Sequence, residues 1–359
     1  MSESRAGILL INLGTPDSPG VGDVRRYLRE FLSDPRVIDI SAPARWALVN
    51  LLILPLRPRR TAKQYASVWL DEGSPLLVHG RALEASLADA LGADFSVELA
   101  MRYGNPSIRA GLLALCAAGV ERIVGIPLFP QYSDAATGSA LAKLEEEHAR
   151  IAGAPPLTTL QSFYDDPGYI DAEREVAAPL LAEFAPDHVL MSFHGLPERQ
   201  VKRTDASGAH CLASESCCDA IGSDNRGCYR AHCYATARGI ARALGLRDAT
   251  HSVAFQSRLG RTPWIRPYTD EVLPELAGRG VRRLAVMCPA FVADCLETVE
   301  EIAVRARAQW QAVGGEKLLL VPSLNATPRF TQTVASLAMD ALRADSGRSG
   351  EERAGGGQA

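Results

Sequence analysis

Three groups of residues have the types and spacing to do chemistry. His194 ends the apolar run His188-Val-Leu-Met-Ser-Phe-His194, and Gly195-Leu-Pro197 halts the chain directly after it. Imidazole titrates near neutrality, so at a strand end it can accept a proton or hold a metal, although a loop histidine bonded to backbone is the plain alternative. Asp294, Glu297 and Glu301 stand at i, i+3 and i+7 in Val292-Ala-Asp-Cys-Leu-Glu-Thr-Val-Glu-Glu301, which predicts one acidic helical face. Carboxylate oxygens hold a divalent ion less tenaciously than thiolates do, as suits delivery. A solvated helix start with favourable charge near its N-terminus competes with that reading. The strand end and Phe291 just before the acids favour a site. The third group is Cys211, Cys217, Cys218, Cys228 and Cys233, crowded into one polar segment.

The elements that must position these groups are legible as strands and helices in alternation. Apolar runs at Gly7 to Leu13, Phe95 to Met101, Arg122 to Pro127 and Leu157 to Phe163 form a first set. A second set is His188 to Phe193, Thr250 to Phe255, Arg282 to Met287 and Lys317 to Val321, with helical patterns between. This alternation predicts an α/β chain of two Rossmann-like, doubly wound domains, each with a four-stranded parallel sheet. Residues 1–175 and 176–344 would be the domains, and the Gly-, Ser- and charge-rich 345–359 a disordered tail. Polar motifs follow the strands directly: Asn12 to Asp17, Arg102 to Pro106, Pro127 to Ser133, His194 to Pro197, Gln256 to Gly260, and Cys288 to Phe291. On parallel strands they share one rim, where ligands bind in such sheets.

Composition narrows the classes. A chain of 359 residues is long enough for two domains, and its formal net charge of −4 includes no basic block of the kind that binds nucleic acid. Met1 to Gly7 carries no apolar signal core, so a cytoplasmic protein is expected. The longest apolar run, Trp46 to Leu56, is well short of the roughly 20 residues that span a bilayer. The crowding of the cysteines in an α/β chain without an export signal favours metal ligation over disulfides.

Ser192-Phe-His194-Gly-Leu-Pro197 resembles the active-site histidine motif of ferrochelatases, which insert ferrous iron into a porphyrin, and the family's other motifs follow in order from Leu9 to about residue 340. The resemblance implies two chelatase-type domains facing one another across a porphyrin cleft. It makes His194 and Glu297 the catalytic pair and ligands of the substrate iron, with Asp294 and Glu301 extending a polar path to the surface. Leu13, Arg102, Tyr103 and Phe291 match residues packed around the macrocycle, and Arg60, Tyr65 and Ser74 match positions that hold propionates. The product would be protohaem from protoporphyrin IX, with coproporphyrin III as the alternative substrate. Cobalt or nickel chelatases typically present histidine pairs, whereas only His194 is evident here. A non-catalytic haem-binding protein would not need the acidic row.

Two further segments take a reading from the same family. Residues 46–60 resemble the apolar lip that rims the porphyrin slot and touches lipid in membrane-bound members; a buried core helix is the competing reading. Arg57, Arg59, Arg60 and Lys63 beside it suit peripheral contact with an anionic membrane surface. Residues 205–233 resemble the internal inserts that carry a two-iron two-sulfur cluster, for which four of Cys211, Cys217, Cys218, Cys228 and Cys233 would suffice. A zinc site is the main competitor.

Overall fold

The computed structural model describes residues 5–260 and 262–355, with side chains followed to residue 344. Two parallel sheets frame it. In the first, β1 (Ala6–Thr15), β2 (Phe95–Gly104), β3 (Arg122–Pro127) and β4 (Leu157–Thr159) lie in the order β2-β1-β3-β4. In the second, β5 (His188–His194), β6 (His251–Gln256), β7 (Arg283–Met287) and β8 (Lys317–Leu320) repeat that order as β6-β5-β7-β8. The expected pair of four-stranded parallel sheets is therefore present. Strand order reverses beside β1 and beside β5, so each sheet opens a crevice at the carboxyl ends of its central strands. Ile8, Leu9, Leu10 and Ile11 of β1 are all fully buried, as a strand covered by helices on both faces requires. β4 is shorter than its apolar run. As an edge strand it pairs with β3 only from Leu157 to Thr159 before the chain turns away.

The helix Pro167–Phe184 connects the two halves, so the boundary placed at residue 175 falls inside a helix. Asp166 caps its start by accepting from Tyr169 N at 2.9 Å. The last helix, Pro328–Gly355, crosses back to the first half, where Phe330, Val334 and Ala338 pack with Leu83, Leu87 and Tyr169. That helix runs over part of the segment read as a disordered tail. The side chains from residue 345 onward, and residues 356–359 altogether, lie outside the described residues.

Residues 42–68 form a chain of short helices: Ala42–Ala47, a π-helical turn at Leu48–Ile53, Leu54–Leu56 and Pro58–Val68. Val49 and Leu54 turn inward and pack with Tyr27, Leu28, Tyr65 and Tyr103. Trp46, Leu51, Leu52 and Leu56 face outward, between 55% and 70% exposed. The two readings of this stretch thus divide by residue. Leu54 belongs to the core, and the outward set makes an apolar edge.

Candidate active site

His194 sits at the carboxyl end of β5 with its ring partly exposed. Its Nδ1 lies 2.6 Å from the carbonyl oxygen of Gly195. A carbonyl can only accept, so Nδ1 carries a proton, and in the neutral ring the lone pair is then on Nε2. Phe291 and Trp264 stand 6.2 and 6.4 Å from the imidazole, ring centre to ring centre. Gly195 is held by a bond from its N–H to Gln256 O at 2.8 Å, and a Cβ there would sit 2.9 Å from that oxygen. The sharp departure of the chain after His194 thus depends on glycine.

The acidic row is built differently from a single α-helical face. Asp294 precedes the helix: its oxygens accept from Thr298 Oγ1 at 3.1 Å, Ser323 N at 3.3 Å and Asn325 Nδ2 at 2.9 Å. It anchors the turn into Leu296–Thr298, after which the chain widens into a π-helix over Val299–Ala306. The wider turn replaces the 3.6-residue period assumed from sequence. Glu300, which spacing left off the face, is buried beside Arg305, to whose Nε it is bonded at 2.8 Å. Glu297 and Glu301 remain neighbours. Burial, then the charge of Glu301, pushes the Glu297 carboxyl above the usual carboxylate range, and His194 opposes that shift.

Glu301 is held from both sides. Its oxygens accept from Gln256 Nε2 at 3.1 Å and from Ser257 Oγ, and they pair with Arg305 at 2.8 Å. Gln256 also donates to Glu297 O at 2.8 Å and accepts from Ser192 Oγ at 2.7 Å. A buried chain of hydrogen bonds therefore ties the histidine strand to the acidic helix. Ser257 adopts a left-handed φ of 67°, an unfavourable backbone setting for serine of the kind found at functional sites. Sequence had placed Gln256 and Ser257 on the rim without a role, and it gave no signal for Trp264.

The first half supplies the opposing surface. Leu13, Phe31, Ile53 and Leu296 pack around the cluster of Tyr27, Tyr65 and Tyr103, so Leu296, next to Glu297, touches both halves. Burial raises the pKa of the Tyr27 and Tyr65 phenols; Glu297 adds to it, next after burial at Tyr65 and after both burial and Tyr65 at Tyr27, which places both phenols close to it. Arg102 pairs with the buried Asp34 at 2.6 Å, and Tyr103 donates to the same carboxylate at 2.9 Å. Arg57, just after the helix Leu54–Leu56, lies near enough to Glu301 for their charges to interact. Arg60 is exposed on the helix Pro58–Val68. Ser74 is buried and caps the helix Pro75–Leu91 by accepting from Leu77 N at 3.3 Å, which accounts for it structurally.

Cys211, Cys217, Cys218 and Cys228 are all buried in one cluster with the helix Tyr229–Leu244. All are free thiols. Cys217 and Cys218 lie 3.6 Å apart, sulfur to sulfur, and Cys228 interacts with both Cys211 and Cys218. The Cys228 contact, followed by burial, raises the Cys218 thiol. Arg230 opposes this, with Nη1 3.1 Å from Cys218 Sγ and 3.9 Å from Cys217 Sγ. A guanidinium aimed at sulfur favours thiolate. Cys233 differs, interacting with the Tyr229 phenol and lying deeper in the core. Among the described residues, no three of His, Cys, Asp and Glu converge on a point that would hold a single metal ion.

Two doubly wound sheets with a histidine and a carboxylate pair at the strand ends define an α/β protein of the chelatase class. SirB from Bacillus subtilis with Fe3+ shares the fold at a TM-score of 0.50 and 13% identity, with 96% of this chain and 98% of that one covered. SirB in complex with cobalt, from Bacillus subtilis subspecies spizizenii, gives 0.51 and 12%, with 96% and 97% covered. The chain belongs to the ferrochelatase family, whose model matches residues 5–342, and it is a lyase-class metal chelatase. It is 50% identical to the ferrochelatase of Azotobacter vinelandii over 92% of this chain and 97% of that one. The ferrochelatase of Coxiella burnetii (strain CbuK_Q154) is 48% identical over 95% of each. That of Legionella pneumophila (strain Corby) is 44% identical over 94% of this chain and its whole length.

Proposed function

We propose that the chain inserts ferrous iron into protoporphyrin IX, releasing protohaem and two protons from the pyrrole nitrogens. The observation that carries this reading is that His194, bonded to Gly195 through Nδ1 and so presenting Nε2, lies near enough to Glu297 for their charges to interact, with the Glu301 carboxylate beside them. His194 accepts pyrrole protons at Nε2 and can contact the iron as it passes. Glu297 is its counterpart across the macrocycle, with a carboxyl tuned upward so that it exchanges protons nearer neutrality than an ordinary glutamate. Glu301, held by Gln256, Ser257 and Arg305, continues the polar path outward. Asp294 keeps the turn in place rather than reacting. Leu13, Arg102, Tyr103 and Phe291 wall the slot, while Arg60, Tyr65 and Ser74 serve the propionate side or its support. Trp46, Leu51, Leu52 and Leu56 form the lip that meets porphyrin and an anionic membrane surface from the cytoplasmic side.

The cysteine segment, in this reading, binds a two-iron two-sulfur cluster through Cys211, Cys217, Cys218 and Cys228, with Cys233 as the spare. Two irons take two thiolates each, so the sulfurs need not converge on one point as a mononuclear site demands. The free thiols and the Arg230 guanidinium fit such a group. When bound, the cluster supplies a covalent centre to a segment with little apolar surface of its own. The test of the reaction is rates with protoporphyrin IX and coproporphyrin III, measured side by side with ferrous iron. Faster turnover of coproporphyrin would replace the proposed substrate, and no insertion into either would overturn the reading.

A further inference from the structure

The segment Asp34 to Asp39 grips both walls of the cleft. At one end Asp34 holds Arg102, Tyr103 and Ser139 of the first half. At the other, the Asp39 side chain is only 4% exposed although its partners lie at the surface. Arg199 Nε reaches its two oxygens at 2.8 and 3.0 Å, and Arg199 Nη2 and Arg203 Nη2 pair with it as well. Between them, Gln200 Nε2 donates to the carbonyls of Arg36 at 3.4 Å and Val37 at 3.3 Å. Arg199, Gln200 and Arg203 share the short helix Glu198–Arg203, which directly follows His194-Gly-Leu-Pro197. Asp39 itself stands three residues before the helix Ala42–Ala47.

We propose that Asp39 is a positioning residue for the macrocycle: its clamp on Arg199 and Arg203 sets the spacing between the lip and the His194 wall. A guanidinium bound through two oxygens fixes orientation as well as distance. A shielded carboxylate between two cations is also costly to open. His194, Glu297 and Glu301 all lie in the second half, so the geometry presented to iron does not depend on the clamp. The gap between the halves does, and of the two substrates only the porphyrin spans that gap. The inference rests on the cleft being the porphyrin site.

That independence gives the test. Asp39→Asn, and separately the double variant Arg199→Gln/Arg203→Gln, are assayed with porphyrin and ferrous iron varied in turn. The expected result is a porphyrin KM raised roughly three- to tenfold, the size of a modest coupling between neighbouring groups. The iron KM and kcat should stay within about twofold, the scatter of independent groups. Combining all three substitutions should add nothing, because both sides of one clamp are already open. If Asp39→Asn does not fold, the arginine pair, whose own side chains are exposed, reads out the same quantity. An unchanged porphyrin KM in folded protein, an equal change for both substrates, or additive losses would each overturn the proposal. Failure of the underlying reading is distinct, since wild-type protein would then insert iron into neither porphyrin.

Discussion

The Tyr229 phenol donates to the main-chain carbonyl of His194 at 2.8 Å. Tyr229 opens the helix after Cys228, so this single bond joins the cysteine segment to the rim of the cleft. Burial raises the phenol well above its ordinary pKa, which keeps it a donor through the working range. Gly195 is held on its other side by Gln256 O, and the two bonds together fix the direction in which the imidazole points. A hydrogen bond of this kind contributes about 1 kcal/mol, equivalent to roughly fivefold in rate if it acts on a positioned base. Tyr229→Phe should therefore lower kcat by about that factor while the protein stays folded. Unchanged turnover would mean that the histidine is held by the glycine bond alone.

The proposed catalytic pair makes a stronger prediction. His194→Ala and Glu297→Gln should each reduce insertion by about 10²- to 10⁴-fold, the usual effect of losing a positioned proton-transfer group. The pH profile tests the pair independently. Burial and Glu301 hold the Glu297 carboxyl up, so it takes its proton earlier than an ordinary glutamate as pH falls. Activity should decline at a pH above the usual carboxylate range. Glu301→Gln removes the neighbouring like charge and should move that acid limb to lower pH. A limb that stays put would show that Glu297 does not govern it.

Much of this arrangement was legible because it follows from strand periodicity. The runs ending at Leu13, His194 and Met287 read as covered parallel strands, and the rim followed from what stood after them. The interior of the acidic helix was not legible. A period of 3.6 predicts one face for Asp294, Glu297 and Glu301, but the π-helical turn from Val299 changes the register, and Asp294 is drawn into capping. Hydrogen bonds set that turn, and no residue type announces it. Trp264 was equally hidden, because nothing in the sequence near it tells that its loop folds back beside His194. Leu54 and Leu52 are indistinguishable in composition, yet one is 3% and the other 55% exposed. Only the tertiary packing of the lip separates them.

That separation can be measured. Replacing Trp46, Leu51, Leu52 and Leu56 with Ser should weaken binding to anionic vesicles and raise the porphyrin KM, with little change in thermal stability. Leu54→Ala, by contrast, should cost about 2–5 kcal/mol of stability through the cavity it leaves, with vesicle binding intact in the folded fraction. If the outward set instead lowers stability and leaves vesicle binding untouched, the stretch is core throughout.

Glu173 is a buried acid on the connecting helix, and burial pushes its pKa up to about 8. In the folded chain it stays neutral well above the pH at which it ionises when unfolded. The sign follows from linkage: folding keeps the proton, so stability is full below the unfolded pKa and is lost as pH rises toward 8. Glu173→Gln should match wild type near pH 5 and exceed it by a few kcal/mol, on the order of magnitude of such linkage, near pH 9. Denaturant titrations at the two pH values decide this. An equal difference at both would show that the carboxyl is not held neutral.

The cysteine segment gives the prediction with the sharpest alternatives. An iron–sulfur cluster absorbs visible light, whereas zinc thiolates and disulfides do not. Protein purified without oxygen should be coloured and contain iron and acid-labile sulfide in equal amounts, about two of each per chain for a cluster of this type. Cys211, Cys217, Cys218 and Cys228 surround one another and Arg230, while Cys233 interacts with Tyr229 in the core. Cys→Ser at any of the first group should abolish the colour, and Cys233→Ser should keep it. Because Tyr229 follows Cys228 and bonds to His194, losing the cluster should also lower turnover, without any electron passing in the reaction itself. Colourless protein free of sulfide, with one zinc per chain, would replace the cluster with a structural zinc site. Retention of colour in Cys218→Ser with loss in Cys233→Ser would leave the cluster but reassign its ligands.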